Sequence, residues 1–355
     1  MTSGFVRATI ADVAAAAGVS RTTVSVALSG RGRVDPQTRE RVRNVADALN
    51  YRPSVRAQRL RGGASQTIGL LTALPDEVVG RDSHLSFLFD LAMPLARTLL
   101  EMRYSTLLLP PVGDLAHLDS IDADAVVVID PRESDPIITR FRERGMQVVA
   151  IGSVAGVDAN GVVDRGDGDA EVAIGHLISR GARSIALLST AEQHSLAASL
   201  RRFVSERGHR LDARLRLVEI SSALGERGGY EKTLELLAAD PSLDAVYAPI
   251  DAFAVGASRA AQERGRRVPE DVMIITNYDG PRAQASSPPL TALDLNLTSI
   301  AEAAAELLIA CVTDPRPEQR TITVANPGLR ARASTARPFP ERSGTLLSGT
   351  LPSGM

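Results

Sequence analysis

Tryptophan is absent from this sequence, aromatic residues make up only 3% of it, and it holds a single cysteine, Cys311. A core must therefore rest on Leu, Val, Ile and Ala, and an internal disulfide framework is excluded because one thiol has no second within the chain. No apolar run approaches the roughly 20 residues that a membrane-spanning helix requires. The stretch 10–19 near the start is interrupted by Asp12, unlike the apolar segment of a secretory leader. The five histidines, His84, His117, His176, His194 and His209, are scattered without metal-ligand spacing. The expectation is a cytoplasmic protein that needs no metal, no cofactor and no membrane.

What is present is unevenly distributed. The chain has 355 residues, more than one ordinary core, so two or three domains are expected. Its net charge is −2. Residues 1–63 nevertheless hold eleven arginines against Asp12, Asp35, Glu40 and Asp47, a local balance of +7 that leaves −9 for the remainder. A basic head on an acidic body fits binding to nucleic acid by counterion release. A solvated basic face would give the same count, so charge needs a motif beside it.

The head reads as three short helices. Thr9 can cap a run with Ile10, Val13, Ala14 and Ala17 on one face, and Asp12 in its first turn suits the positive end of the helix dipole. Gly18 ends that helix by supplying the backbone freedom of a tight turn. Ser20 caps a second helix over about 21–28, whose inward face is Val24, Ala27 and Leu28. Asp35 followed by Pro36 opens a third, with Val42, Val45, Ala46 and Leu49 turned inward. These elements define a helix-turn-helix domain at 1–53. Residues 54–63 follow as a short linker helix closed by Gly62 and Gly63. A helix that short is marginal alone and is expected to order on binding.

From residue 67 the pattern becomes alternating strands and helices. Strand candidates are 67–73, 105–109, 125–129, 147–151, 184–189, 215–220, 245–248 and 272–276, with amphipathic stretches between them. Near-continuous apolar strands in repeated βα units imply parallel sheets covered on both faces. The fold expected for 64–335 is thus an α/β body of two doubly wound parallel-sheet subdomains. Residues 336–355, rich in Pro, Ser, Gly and Thr, show no core pattern and are expected to be disordered.

The run 9–25, TIADVAAAAGVSRTTVS, resembles the head of the LacI/GalR family of transcriptional regulators, as do Leu49-Asn-Tyr-Arg-Pro53, Arg267-Val-Pro-Glu-Asp-Val272 and Pro288-Pro-Leu-Thr291. The resemblance spans roughly 8–335. It implies a ligand-responsive regulator, expected to be a repressor, that binds double-stranded operator DNA as a homodimer on a near-palindromic site. The second helix would enter the major groove, with Arg21 and Thr22 nearest the base edges. Val26 matches the family's third base-reading position but departs from its usual Arg, so contact with a thymine methyl would replace a hydrogen bond. Ser20, Thr23, Ser25 and Ser29, with the amide of Thr9, match phosphate contacts, although each could equally serve as a cap or a solvated hydroxyl. Ala57 and Leu60 match positions that enter the minor groove. Leu60 would wedge a base step, or else pack against its counterpart in a second subunit.

The resemblance further implies a small-molecule effector, sugar-like in chemistry, held between the subdomains at the carboxyl ends of the strands. Ser195, Ser199, Asp251 and Asp279 match the family's pocket positions. Ser199 stands where the family usually has Arg, Ile250 where it has Asn, and Asn277 where it has Gly. Asp251 could instead only cap its helix, and Asp279 could be a turn residue. Phe87 and Tyr278 are either ring-stacking walls or core residues. Enzyme signatures are missing. The stretch 225–232 lacks the Gly-Lys pair of a phosphate loop, the acidic run Gly166-Asp-Gly-Asp169 would repel pyrophosphate, and no nucleophile elbow is recognisable.

Overall fold

The computed structural model describes residues 8–29, 34–49, 51, 65–74, 83–110, 114–152, 156–316 and 318–337. The chain divides into two compact units, Met1–Ser65 and Gln66–Met355. The linker residues Ala57 and Leu60 and the segment 338–355 lie outside the described residues.

The first unit holds α1 (Ile10–Ala17), α2 (Arg21–Ser29) and α3 (Pro36–Ala48). Local chemistry sets each boundary. Thr9 and Asp12 form a reciprocal capping box at α1, and Gly18 closes it in the left-handed conformation at φ 66°. Ser20 Oγ accepts the Thr23 amide at 3.1 Å, and the Asp35 carboxylate accepts the Thr38 amide at 3.0 Å ahead of Pro36. Val13, Ala17, Val24, Ala27, Val42 and Ala46 close on one another, which accounts for their 3–4 residue spacing. Leu49 departs from expectation. It sits at the C-cap of α3 and is 39% exposed, because the chain folds back there and the Tyr51 amide bonds Ala46 O at 2.8 Å. Tyr51 fills the core position instead.

The second unit contains two six-stranded sheets. The first has the order β11-β5-β4-β3-β1-β2, from β1 (Thr67–Thr72), β2 (Ser105–Leu108), β3 (Ala125–Ile129), β4 (Gln147–Ile151), β5 (Gly161–Asp164) and β11 (Arg320–Thr323). The second repeats that order as β12-β10-β9-β8-β6-β7, from β6 (Ser184–Thr190), β7 (Arg214–Ile220), β8 (Ala245–Ala248), β9 (Met273–Tyr278), β10 (Thr291–Asp294) and β12 (Gly328–Arg330). All pairings are parallel except β10 with β12. Strand β3 is buried at every position, as a strand covered on both faces requires.

Eight further α-helices occur among the described residues of this unit, the first seven being α4 (Ser83–Glu101), α5 (Pro136–Glu143), α6 (Gly168–Ser179), α7 (Ser195–Arg207), α8 (Gly225–Ala239), α9 (Asp251–Glu263) and α10 (Pro281–Ala285). An eighth, α11 (Leu297–Thr313), packs Ile300, Leu307 and Leu308 against Ile68, Leu70 and Val149 of the first sheet. The chain therefore passes between the sheets three times, at 165–167, 295–296 and 324–327. Strands β5, β10, β11 and β12 were not expected from the sequence. They are three or four residues long, and β11 and β12 are edge strands with little burial.

Candidate functional site

In the head, burial separates two faces of α2. Val24 and Ala27 are wholly buried, whereas Arg21 and Thr22 at its N-terminal end are exposed. Ser25 and Val26 are half-buried. Ser20 and Thr23 serve the cap, their hydroxyls 2.9 Å apart. The Thr9 amide donates to the Asp12 carboxylate at 2.7 Å, and that bond holds the Asp12 pKa below its ordinary value. Arg21 and Thr22 are thus the residues of α2 that the fold leaves presented at the helix start. The side chain of Ser29 lies outside the described residues.

In the second unit a cavity opens where the two sheets face each other. Its lining comes from the carboxyl ends of β1 (Thr72), β3 (Ile129 and Asp130), β4 (Ile151 and Gly152), β6 (Thr190) and β9 (Asn277 and Tyr278). In each sheet the strand order reverses between β1 and β3, or between β6 and β8. Doubly wound folds hold ligands outside the carboxyl ends at such a reversal. Ser195, Ser199 and Asp251 line the cavity. Asp279 does not. Its carboxylate pairs with Arg332 at 2.6 Å and faces a neighbouring recess with Asp90, Asp294 and Arg330.

The polar groups of the cavity are tied to one another. The Asp130 carboxylate, on the first sheet, accepts the Ser195 hydroxyl and the Leu196 amide at 2.9 Å, so it caps α7 of the second subdomain. Asp130 holds a left-handed backbone at φ 52°, which aims its side chain across the cleft. Arg165 pairs with Asp169, whose carboxylate also accepts the Asn277 amide nitrogen at 2.9 Å. Asn277 Oδ1 in turn accepts the Tyr247 hydroxyl at 2.6 Å, and burial pushes that phenol well above its ordinary pKa. Ser199 Oγ lies 2.9 Å from Asp167 Oδ1 and 3.1 Å from Gly166 O. Tyr278 donates to Asp90 at 2.5 Å, and its ring meets Phe87 edge-on with centroids 5.4 Å apart. Burial first, and then the Asp90 carboxylate, raise its pKa. Phe87 and Tyr278 are therefore one aromatic pair at the cavity wall.

Sequence reasoning missed Asp130, Arg165 and Asp169 as cavity residues. Asp130 was within reach, since it directly follows the apolar strand Ala125–Ile129 just as Asp251 follows the strand at 245–248. Arg165 lies in a crossing between the sheets and Asp169 in the first turn of α6, and nothing local marks them as facing a cavity.

Comparison with known proteins bears on both units. Residues 9–54 match the family model described as bacterial regulatory proteins, lacI family, and residues 174–335 match a periplasmic binding protein-like domain. The transcriptional regulator RafR of Escherichia coli is 31% identical over 282 residues, covering 76% of this chain and 80% of its own. Among solved structures, the transcriptional regulator CelR–cellobiose complex superposes with a TM-score of 0.63 at 25% identity, covering 92% of this chain and all of its own. The lac repressor dimer bound to operator superposes at 0.72 with 20% identity over 93% and 99% of the two chains, a likeness of fold. The chain belongs to the lacI family of bacterial regulatory proteins and is a helix-turn-helix transcription regulator.

Proposed function

We propose that the protein is a cytoplasmic repressor that binds a near-palindromic operator as a homodimer and responds to a sugar-like effector held between its two sheets. Residues 1–53 are the DNA-binding domain, 54–63 the hinge, 64–335 the effector-binding and dimerisation body, and 336–355 a tail. The observation that carries the reading is the split face of α2, which buries Val24 and Ala27 and presents Arg21 and Thr22. Arg21 can bond a guanine bidentately, Thr22 reads a neighbouring base, and Val26 meets a thymine methyl. Ser20, Thr23, Ser25 and Ser29 set register on phosphates, the Thr9 amide being already given to Asp12, while Ala57 and Leu60 enter the minor groove.

A second copy suits α4, where Phe89, Met93 and Leu100 form one apolar stripe at 51%, 67% and 69% exposure. The sugar-like effector is supported by the cellobiose bound to CelR and by a cavity whose hydroxyl, amide and carboxylate groups sit among Leu, Ile and Phe side chains. Ser195, Ser199 and Asp251 are its proposed contacts, whereas Asp279 lies outside the cavity, paired with Arg332. Operator and effector then alter each other's affinity by the same factor.

The test is capture of genomic fragments by the full chain at near-physiological salt. Enrichment of a palindromic site is expected, and failure to retain any specific sequence would refute the reading. Arg21→Ala should relax the preference at one base pair per half-site by about 1–3 kcal/mol. A uniform loss across operator variants would instead make Arg21 a phosphate contact.

A further inference from the structure

Three helices begin at the wall of the cavity: α6, α7 and α9. A helix N-terminus carries unbonded amides and a partial positive charge, and several converging on one space would suit an anion such as phosphate. In this protein the chain's own carboxylates already hold an amide at two of these ends and stand in the first turn of the third. At α7 the Asp130 carboxylate accepts the Leu196 amide and the Ser195 hydroxyl from across the cleft. At α9 the Asp251 carboxylate accepts the Ala252 amide at 2.7 Å and is 5% exposed. At α6, Asp169 stands in the first turn, 9% exposed, and takes both Arg165 and Asn277.

The charge of the described lining is therefore three carboxylates, Asp130, Asp169 and Asp251, against the single guanidinium of Arg165, which is already paired. Ser199, where the resemblance would place an arginine, lies against Asp167 and Gly166 and adds no positive charge. Nearby Arg202 is likewise held by Asp167 at 2.5 Å.

We infer that the effector is uncharged, a polyol or sugar bearing neither phosphate nor carboxylate, and that Asp130 and Asp251 are the residues that exclude anionic ligands. The inference rests on the reading of this cavity as the effector site. A phosphate or carboxylate entering here meets two helix ends at which a carboxylate already holds an amide, and it meets like charge. Hydroxyl groups meet acceptors instead, because an ionised carboxylate already bonded to an amide retains further lone pairs. Juxtaposed like charges cost several kcal/mol, so a neutral sugar should be preferred to its anionic counterpart by about a hundredfold.

The test uses Asp130→Asn and Asp251→Asn in the full chain. Asparagine keeps an oxygen that can accept the same amides, so the caps survive while the charge is lost. Circular dichroism checks the fold. Inorganic phosphate is titrated calorimetrically at constant ionic strength into the wild type, each single variant and the double variant. The wild type should give no saturable cavity binding, and the double variant should gain affinity by about tenfold or more. The head is identical in every sample, so the difference belongs to the cavity. If the double variant does not fold, Asp251→Asn alone carries the comparison. In parallel, glucose and cellobiose are compared with glucose 6-phosphate and glucuronate on the wild type. Tighter binding of either anion than of the neutral sugars would overturn the inference, as would failure of the folded Asn variants to gain phosphate affinity. A chain that excludes phosphate, gains it through the Asn variants and yet shows operator binding indifferent to every sugar would instead sink the effector reading and leave the charge inference standing.

Discussion

Helices α8 and α9 touch backbone to backbone, and that contact is open to a direct test. A Cβ added at Gly256 on α9 would lie 2.1 Å from the carbonyl oxygen of Glu226 and 2.6 Å from the amide nitrogen of Tyr230. Carbon and oxygen settle at about 3.3 Å or more, so Gly256→Ala forces the helices apart by about 1 Å. Neither neighbour is a side chain that can rotate away. Overpacking costs about 1–3 kcal/mol, and rigid backbone on both sides places this site at the upper end. Helix propensity returns up to about 1 kcal/mol for Gly→Ala, which leaves a net loss of about 2 kcal/mol. Gly175, inside α6, is the matched control, because its Cβ would meet nothing within 4 Å. Gly175→Ala should stabilise by up to about 1 kcal/mol. Urea unfolding followed by far-ultraviolet circular dichroism should therefore place the midpoints in the order Gly175→Ala, wild type, Gly256→Ala. A Gly256→Ala midpoint at or above that of the wild type would refute the packing argument. The displacement should also reach function, since Asp251 is the first residue of the same helix.

Three further outcomes can be measured. Tyr278→Phe keeps the ring edge on Phe87 but deletes the donor to Asp90, and should lower body stability by about 1 kcal/mol, with a double-mutant cycle against Asp90→Ala showing the coupling. His176 has a pKa pushed down to about 4, first by burial and then by Arg180. The unfolded chain protonates near 6.5 while the folded one resists, so this group's stability is complete above about 6.5 and is lost as pH falls toward 4. The loss is on the order of 2–3 kcal/mol, and His176→Gln should flatten the urea midpoint between pH 6.5 and 5 relative to the wild type. Leu60→Ala should weaken operator binding and reduce DNA bending while leaving the body folded; unchanged bending in electrophoretic phasing would end the wedge reading.

The head was almost wholly legible because its boundaries are local chemistry. Thr9, Gly18, Ser20 and the Asp35–Pro36 pair each act within four residues of themselves. Leu49 was misread because helical spacing continues past the point where the helix ends, and only the fold-back at Tyr51 decides which side chain is inside. In the body, strands with continuous apolar runs were found within a residue or two. Strands such as β10 (Thr291–Asp294) and β11 (Arg320–Thr323) were not, because partners from distant parts of the chain hold so few residues extended. The cavity followed the same division. Asp251 could be found from its place after a strand, whereas the pairing of Asp279 with Arg332 joins residues 53 apart that no local pattern relates.

The triple passage of the chain between the sheets has a consequence for synthesis. Strand β11 completes the first sheet, and α11 covers the face carrying Ile68, Leu70 and Val149, yet both come from the last sixth of the polypeptide. A ribosome must translate the whole second sheet except β12 before the first can be finished. Until residues 297–313 emerge, an apolar face stays open on a nascent chain whose head is already complete. A message truncated before that point would yield a DNA-binding head attached to an unfinished, aggregation-prone body. Cutting the molecule at the apparent boundary between subdomains would likewise leave neither half whole, because neither is a continuous piece of sequence.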